Sequence, residues 1–444
     1  MRKWSLSRIF SLLVSETRVY GSTVLSEGSL FVLQLLAYRF AGRLGAEGFS
    51  EYVLSRRAMY TLQTVVMVGT YVAVPRFIAL SLAEQNKERA ARFYGAGFSI
   101  SIGFSLLCCL LMSVFSRQTA YLALGDASYS GLVLVTCWTL MGIVLHTVLY
   151  SYFRGMFRMN AANALQVLNI GVIPIAVFYM SHNVHGILWA LGAIWVAISL
   201  AVTVFATPLR EMWTFTWNEV STLFRYGWTR LPGDVINSVL LSAPPLLAAR
   251  LDGVKEAGPV GFAVMCIVLI SRCFNPIATV MLPKVSRMLG EGEFHQIRRH
   301  VLVVSAATFA IAFGAAALLE LLAPLAIRVY LGAGFVSTSY YLRLAVLGAP
   351  GYCMYNVLRS FIDSYHVKAY NTRNLVVSGI IFVVLSVVAI YTKHGSSGIL
   401  IALSVAYTVL GLLTVWNSWT TLKLLMQSSE EQKSRLVSLA AGVE

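Results

Sequence analysis

The sequence predicts an all-α integral membrane protein with about twelve transmembrane helices, arranged as two pseudo-symmetric lobes of six helices around a central cavity. Three observations lead to this prediction. Hydrophobic residues make up 58% of the 444 residues and charged residues only 12%, about half the share found in soluble domains. Apolar stretches of membrane-spanning length recur along the chain, whose mean hydropathy is +0.73. The two halves of the sequence also repeat each other.

Each apolar stretch is near the roughly 20 residues that a helix needs to cross the hydrocarbon core. Helices are favoured over lipid-facing strands because an open strand would leave backbone N–H and C=O groups unpaired in hydrocarbon. The twelve spans are expected near residues 20–42, 57–82, 93–115, 130–152, 160–180, 186–207, 233–251, 258–283, 300–324, 338–358, 374–392 and 397–422.

The second half of the chain resembles the first at a slowly drifting offset. "GILWALGAIW" begins at Gly186 and "GILIALSVAY" begins at Gly398, an offset of 398 − 186 = 212 residues. Ordered pairs at a nearly constant offset indicate a duplicated unit. The other matching pairs begin or end at the following residues, with the offset in parentheses: Gly21 and Gly227 (206), Gly42 and Ala249 (207), Val74 and Leu282 (208), Tyr121 and Tyr330 (209), and Met159 and Val367 (208).

The repeat divides the chain into an N-lobe, 1–207, and a C-lobe, 233–430, with a linker at 208–232 and a tail at 431–444. An even number of spans per lobe gives both copies the same orientation, so their symmetry axis runs along the membrane normal and a central cleft lies between them. Aromatic and charged residues alternate in the linker, which predicts an interfacial helix. A solvated loop is the alternative.

The distribution of Lys and Arg predicts the orientation, since basic flanks stay in the cytoplasm. With a cytoplasmic N-terminus, the cytoplasmic segments hold 22 basic residues, and the prediction is an inner-membrane protein with both termini in the cytoplasm. The net charge of +15 is then a topology signal that suits anionic membrane lipids and does not indicate nucleic acid. The outer loops hold eight basic residues: Arg43, Arg56, Arg57, Arg117, Arg250, Lys255, Arg328 and Lys393.

Residues 1–21 are typical of a basic amphipathic stretch on the inner surface and do not form a signal peptide, because a longer apolar core and a cleavage site are missing. The six cysteines all fall inside apolar spans without a Cys-x-x-C pair or a His at metal spacing. They are therefore interpreted as helix-packing residues, and no metal site is expected.

Three stretches resemble a known family. "GRLGAEGFSEYVLSRRAMYTLQTVVMVGTYVAVPRFIALSLAEQNKE", which starts at Gly42, resembles the first-to-second-span region of the polysaccharide transporter (Wzx-type oligosaccharide, or O-antigen, flippase) family of the MOP (multidrug/oligosaccharidyl-lipid/polysaccharide) exporter superfamily. "FRYGWTRLPGDVINS" at Phe224 resembles the start of that family's seventh helix, and "GILWAL" at Gly186 resembles the start of its sixth.

The resemblance implies a MATE-like fold and a transporter that is not an enzyme. Its substrate would be an oligosaccharide on a polyprenyl pyrophosphate, moved across the cytoplasmic membrane by alternating access for O-antigen or exopolysaccharide assembly. The implied partners are this lipid-linked substrate, with polysaccharide polymerase and chain-length machinery as candidates. No cofactor is implied, and H⁺ or Na⁺ coupling is a family-level expectation.

Charged residues inside spans are candidate site residues, because a central Arg costs roughly 2.5–3.5 kcal/mol to insert. Arg272 lies midway through the eighth span and is expected to face the cleft, with an ion pair to Glu27 as the alternative. Asn275 follows three residues later and would share its helix face. Arg39 and Arg343 are further cavity candidates, although both are near enough to the outer surface to snorkel. Guanidinium groups suit a pyrophosphate because they match its oxygens in a bidentate fork.

Two acids occupy matching positions in the repeat. Glu27 and Asp234 are separated by 207 residues and lie near the inner end of the first helix of each lobe. Asp234 follows a Pro-Gly pair and could simply cap its helix. Glu27 is deeper, so it is a candidate for proton or sodium coupling or for gating, with a salt bridge to an Arg as the alternative.

Prolines that interrupt spans are candidate hinges, since kinked helices with freed carbonyls are tolerated where they line a cavity. His146 in the fourth span has no acid nearby in sequence and is interpreted as a helix–helix contact. The hinge candidates are Pro75, Pro174, Pro244, Pro245, Pro276 and Pro350.

Two other functions fit a polytopic helical protein. A cation-coupled multidrug antiporter would need buried acids and an aromatic box, whereas the deepest charge here is Arg272. A membrane glycosyltransferase, polymerase or ligase would need an extramembrane catalytic loop. No phosphate cradle, H-E-x-x-H or nucleophile elbow occurs in the sequence.

Overall fold

The computed structural model describes residues 6–290, 292–365 and 370–441, and it is helical with no strand among these residues. The first half consists of α1 (Leu6–Ala41), α2 (Gly45–Met67), α3 (Thr70–Ala83), α4 (Lys87–Val114), α5 (Ser116–Leu124), α6 (Ser130–Gly155), α7 (Met159–Gln166), α8 (Ile173–Met180) and α9 (Val184–Ala206). The linker forms α10 (Leu209–Met212) and α11 (Trp217–Trp228).

The second half follows the same order of long and broken helices. It consists of α12 (Leu231–Leu251), α13 (Val254–Arg272), α14 (Asn275–Gly290), α15 (Phe294–Tyr330), α16 (Ser339–Val346), α17 (Ala349–Tyr365), α18 (Tyr370–Tyr391) and α19 (Gly395–Ala441).

Apart from a few end residues and the turns at 68–69, 273–274 and 347–348, the expected spans fall on helical residues, which confirms the all-α membrane fold. Ten segments of the described chain are long and apolar enough to cross a membrane. Two of the twelve expected spans are not separate segments among these ten. The second is joined to the first, because only the short 3₁₀ helix at 42–44 divides α1 from α2. The tenth is divided into two shorter helices by a turn at 347–348. The number twelve therefore stays a prediction, as does the division into two lobes.

The second span begins earlier than predicted. The sequence suggested a start near residue 57, but α2 already begins at Gly45. It ends at Met67, and the next two residues have left-handed backbone, with a φ of 45° at Val68 and of 72° at Gly69. The prediction that Arg56 and Arg57 lie in an outer loop is therefore wrong, because both residues lie near the middle of α2.

The halves make direct contact at one end of the bundle. We call the end that holds residues 207–231 the linker side and the opposite end the far side. On the far side, Ser50 Oγ of α2 donates to the Lys255 carbonyl at 2.9 Å and accepts from the Gly258 N–H of α13 at 2.9 Å. Ser50 and Gly258 are 208 residues apart, which is the repeat offset. Because equivalent residues touch only at a symmetry axis, this contact supports the proposed two-fold axis.

The linker helix is anchored to the first half on the opposite end. Thr216 and Glu219 form a capping box at the start of α11, and Glu219 lies 3.7 Å from Arg92 of α4. Burial raises the pKa of the Glu219 carboxyl, but hydrogen bonds from Thr216 and the Arg92 charge outweigh this effect and lower it. Gly227 then packs directly on the break in the second span, where a Cβ would come within 1.9 Å of the Val68 carbonyl.

Closure of the far side depends on a glycine, which gives a direct test. A Cβ on Gly258 would lie 2.6 Å from atoms of Phe49 and Ser50. We expect Gly258→Ala to lower the free energy of unfolding by about 1–3 kcal/mol, because a fully buried Phe49 cannot move aside. Thermal unfolding of the purified protein measures this. Gly314→Ala is the matched control, since a Cβ there meets nothing within 4 Å; an equal loss in both variants would refute the role of close packing.

Candidate functional site

A cavity of about 480 Å³ lies between the two halves of the described chain. Its walls come from α1, α2, α6, α12 and α13, with contributions from the α7–α8 region and from α17. The packing around Ser50 and Gly258 closes it toward the far side. Toward the linker side the lining ends at Arg359, whose side chain is exposed. The cavity therefore opens toward the linker side.

Four arginines line this cavity, and one carboxylate accompanies them in the described lining. The arginines are Arg56 and Arg57 of α2, Arg272 of α13 and Arg359 of α17, and the acid is Asp234 of α12. Arginine stays protonated in proteins. The lining thus carries a net charge of about +3 when Asp234 is ionised, since 4 − 1 = 3. Such a surface favours an anionic ligand.

Arg272 is placed in the cavity wall at a helix break. It is the last residue of α13, and the chain turns at Cys273–Phe274 before α14 begins. Its side chain is half-buried, and no hydrogen bond or ion pair joins it to another described residue. The alternative ion pair with Glu27 is not formed. Arg272 is therefore available to a ligand.

Asn275 does not share the face of Arg272 as the helical spacing suggested, because the break separates the two residues. Its Nδ2 instead donates to Glu27 Oε2 at 3.4 Å, and Asn275 is not part of the described cavity lining. This contact joins α1 of the first half to α14 of the second. Glu27 consequently lies at a junction between the halves on the linker side.

Arg39 and Arg343 lie outside the cavity lining. Arg39 is exposed and donates to the backbone carbonyl of Val329 at the end of α15. Arg343 lies 4.0 Å from Glu320, and both side chains are more than 40% exposed. Their positions near the far side let each guanidinium reach the surface, which matches the snorkelling alternative. They do not contribute to the site.

Asp234 belongs to the cavity instead of capping its helix. Asp234 lies in the first turn of α12. The N-cap residue of this helix is Arg230, and no side-chain capping hydrogen bond is formed there. The carboxyl faces the Tyr71 hydroxyl and the guanidinium groups of Arg359 and Arg230. Tyr71 belongs to the first half, so Asp234 and its neighbours form a second junction between the halves on the linker side.

His146 makes a fully satisfied polar contact in the wall of the cavity, as the sequence interpretation expected. Its Nε2 lies 3.0 Å from Gln166 Oε1, and its Nδ1 lies 2.9 Å from Asn169 Nδ2. Asn169 falls in a π-helical segment, Val167–Val172, whose freed carbonyl accepts a 2.7 Å hydrogen bond from Trp195 Nε1. The wide turn is therefore held by partners on α6 and α9.

The prolines divide into two groups. Pro276 and Pro350 are the second residues of α14 and α17, directly after breaks in the helix, and Pro174 follows the π-helical segment. These are positions where a proline costs no hydrogen bond or where the ladder is already disturbed. The other three, Pro75, Pro244 and Pro245, lie inside continuous helices. A hinge role for any of them stays a prediction.

The helical fold of this chain is shared with solved structures of membrane transporters. A solved structure described as an inward-facing multidrug resistance MATE family transporter aligns with a TM-score of 0.71, covering 91% of this chain and 99% of that one at 16% identity. An outward-facing structure of the same description gives 0.62 at 17% identity, covering 90% and 96%. These likenesses establish the fold.

The family follows from the sequence comparison. The sequence profile of the family described as "Polysaccharide biosynthesis protein" matches residues 21–289, more than half of the chain. The chain belongs to this family. Proteins named "Lipid III flippase" from Escherichia coli (strain K12) and Shigella flexneri are each 26% identical over 167 residues. That region is 37% of this chain and 38% of each relative, so the alignment spans well under half of their length.

The buried histidine offers a test of how the cavity wall is held. His146→Phe leaves the side-chain amides of Gln166 and Asn169 without their partner, and an unsatisfied buried polar group costs about 1–3 kcal/mol. We expect a lower unfolding temperature by thermal scanning in detergent. His394→Phe serves as control, because His394 is exposed and contacts only Thr392 nearby. Unchanged stability of the His146 variant would contradict this account.

Proposed function

We propose that this chain is a flippase that moves a polyprenyl-pyrophosphate-linked oligosaccharide across the cytoplasmic membrane. The observation that carries the proposal is the arginine-lined cavity between the two halves. A pyrophosphate offers several acceptor oxygens and at least two negative charges. Guanidinium groups bind such a group through paired, charge-assisted hydrogen bonds.

Arg272 and Arg359 are the proposed contacts for the pyrophosphate. Both lie in the part of the cavity nearer the linker side, which the distribution of basic residues predicts to be cytoplasmic. Arg272 has no partner among the described residues, so binding an anion would relieve an uncompensated charge at membrane depth. A substrate loaded from the inner leaflet would meet these two residues first.

The cavity supports a lipid-linked anion better than an organic cation. An antiporter for cationic drugs would place its cargo among four arginines and a single acid, which is electrostatically unfavourable. The family and the relatives support a transporter of lipid-linked material, whereas a glycosyltransferase would need paired catalytic acids, and the described lining holds a single acid, Asp234. Sidedness, the particular oligosaccharide, and any polymerase partner remain parts of the proposal.

Alternating access would break the far-side contact and tighten the contacts that the halves already make near the linker side. The Ser50–Gly258 junction is closed in this structure, while Glu27–Asn275 and the Tyr71–Asp234 region bring the halves together near the linker side. Glu27 is the proposed coupling residue, because protonation would weaken its role as hydrogen-bond acceptor from Asn275. Opening and closing at α1 and α14 would then depend on its charge.

The pyrophosphate contact is tested by Arg272→Ala. Charge-assisted hydrogen bonds contribute about 1.5–3 kcal/mol, so transport of an undecaprenyl-pyrophosphate-linked saccharide in proteoliposomes should fall at least about tenfold. Arg328→Ala, an exposed far-side change of the same type, should retain full transport. Full activity of the Arg272 variant, once shown to insert normally, would eliminate this residue as a substrate contact.

Coupling at Glu27 has a separate test. Glu27→Gln keeps the acceptor oxygen for Asn275 but removes the titrating group. We expect transport by this variant to lose its dependence on pH or sodium, measured in proteoliposomes across imposed gradients. Glu320→Gln is the matched control, since this carboxylate lies at the far side and contacts Arg343. If both variants keep the wild-type profile, coupling resides elsewhere.

A further inference from the structure

Three side chains of α2 form a hydrogen-bonded unit near the far end of the cavity. Arg56 donates through Nη1 to Tyr52 Oη at 2.7 Å and through Nη2 to Tyr60 Oη at 2.6 Å. Its guanidinium also lies over both rings, 5.5 and 5.1 Å from their centroids. The three residues are spaced four apart, so each faces its neighbour one helical turn away. We call this unit the tyrosine–arginine clamp.

The clamp fixes the direction in which the tyrosines donate. Each phenol oxygen accepts a hydrogen bond from a permanent cation, so its own proton points elsewhere and the O–H group is polarised. Tyr52 is only 2% exposed and anchors one side of the guanidinium. Tyr60 is half-buried and lines the cavity. The Tyr60 hydroxyl is therefore a strengthened donor toward the cavity.

Arg57 adds a second donor on the same helix face. It is half-buried, lines the cavity and makes one long hydrogen bond of 3.5 Å to the Gly261 carbonyl. Arg57 and Tyr60 are three residues apart, which places both side chains on one face of α2. The acid of the described lining, Asp234, lies near Arg359 on the linker side. The clamp and Arg57 thus form a surface of donors with positive charge and no carboxylate beside it.

This surface is separated in depth from the arginines assigned to the pyrophosphate. Arg56 lies 56 − 45 = 11 residues from the far-side start of α2, and Arg272 lies 272 − 254 = 18 residues from the far-side start of α13. At 1.5 Å per residue the two positions differ by roughly 10 Å along the membrane normal. A pyrophosphate held at Arg272 and Arg359 would therefore leave the clamp and Arg57 to another part of the substrate.

We propose that the clamp and Arg57 form a second anion subsite, which binds a carboxylate carried by a sugar of the translocated oligosaccharide. The inference rests on the proposed function, since it takes the pyrophosphate to sit at Arg272 and Arg359. The sugars then extend toward the far end of the cavity. Arg57 and Tyr60 contact the acidic sugar, and Arg56 is a positioning residue behind them.

The chemistry of the surface favours an acid over a neutral sugar. A sugar hydroxyl both donates and accepts hydrogen bonds, whereas an ionised carboxylate only accepts. A surface built of donors satisfies a carboxylate completely and leaves the donor side of a hydroxyl without a partner. Charge-assisted hydrogen bonds are also about twice as strong as neutral ones. Specificity then arises from attraction to the acid and from incomplete pairing with the neutral analogue.

The test compares two probes that differ in one group. Undecaprenyl-pyrophosphate carrying N-acetylglucosamine and then glucuronic acid is measured against the same lipid carrying N-acetylglucosamine and then glucose. Binding to the purified full-length protein is followed by its intrinsic tryptophan fluorescence. We expect the wild type to bind the acidic probe at least about tenfold more tightly, the factor that one or two charge-assisted hydrogen bonds supply.

The variants separate recognition from folding. Tyr60→Phe and Arg56→Gln should bind both probes with the affinity of wild type for the neutral one, and Arg56→Lys should lose part of the preference because one ammonium does not replace the guanidinium fork. Tyr391→Phe is the matched control, since Tyr391 is 83% exposed; it should keep the full preference. Arg272→Ala should weaken both probes equally.

Each other outcome overturns one claim. Equal binding of both probes by the wild type would overturn the acidic subsite and leave the proposed function standing. Equal weakening of both probes by Tyr60→Phe would assign the clamp to the pyrophosphate or to the fold and would also overturn the subsite. Binding of neither probe by the wild type would overturn the proposed function, and the inference with it.

Discussion

The cost of keeping a guanidinium at membrane depth shapes this molecule. Each arginine inside the hydrocarbon region needs water, a partner or a ligand, and four of them converge on one cavity. That convergence requires two bundles that do not pack against each other along their full length. Gly258 and Ser50 pack closely on the far side, Thr61 and Ser242 join α2 to α12 at 2.8 Å, and the cavity lies beside these contacts.

The sequence was sufficient for the fold because membrane helices carry a strong local signal. Hydropathy located the spans, whereas the division into two lobes, which the ordered repeats predict, stays a prediction. The boundaries of the second span were wrong because α2 begins in a polar stretch, "GAEGFSEYVLSRR", which has the composition of a loop. Its polar residues are accepted inside the bundle since Ser50 finds backbone partners on α13. Such pairing across 200 residues has no signature in local composition.

The site was predictable only in part. Arg272 stood out because it lies far from either end of an apolar stretch, and it does line the cavity. Arg56 and Arg57 were missed as a consequence of the wrong span boundary, and Arg359 was assigned to a cytoplasmic segment. One signal could have revealed the clamp: a Tyr, Arg and Tyr at four-residue spacing, which stack and hydrogen-bond on one helix face. Depth in the sequence alone could not distinguish Arg39 from the arginines that line the cavity. Arg39 instead reaches the surface near α15.

The origin of the four arginines has an energetic consequence for the empty protein. Arg56 and Arg57 come from the first half, and Arg272 and Arg359 come from the second. Cations that face each other across the cavity repel. This repulsion disfavours closure of the two halves around an unloaded cavity. A polyanion between them reverses the sign of the force, so the cargo itself supplies the attraction that draws the two halves together around it.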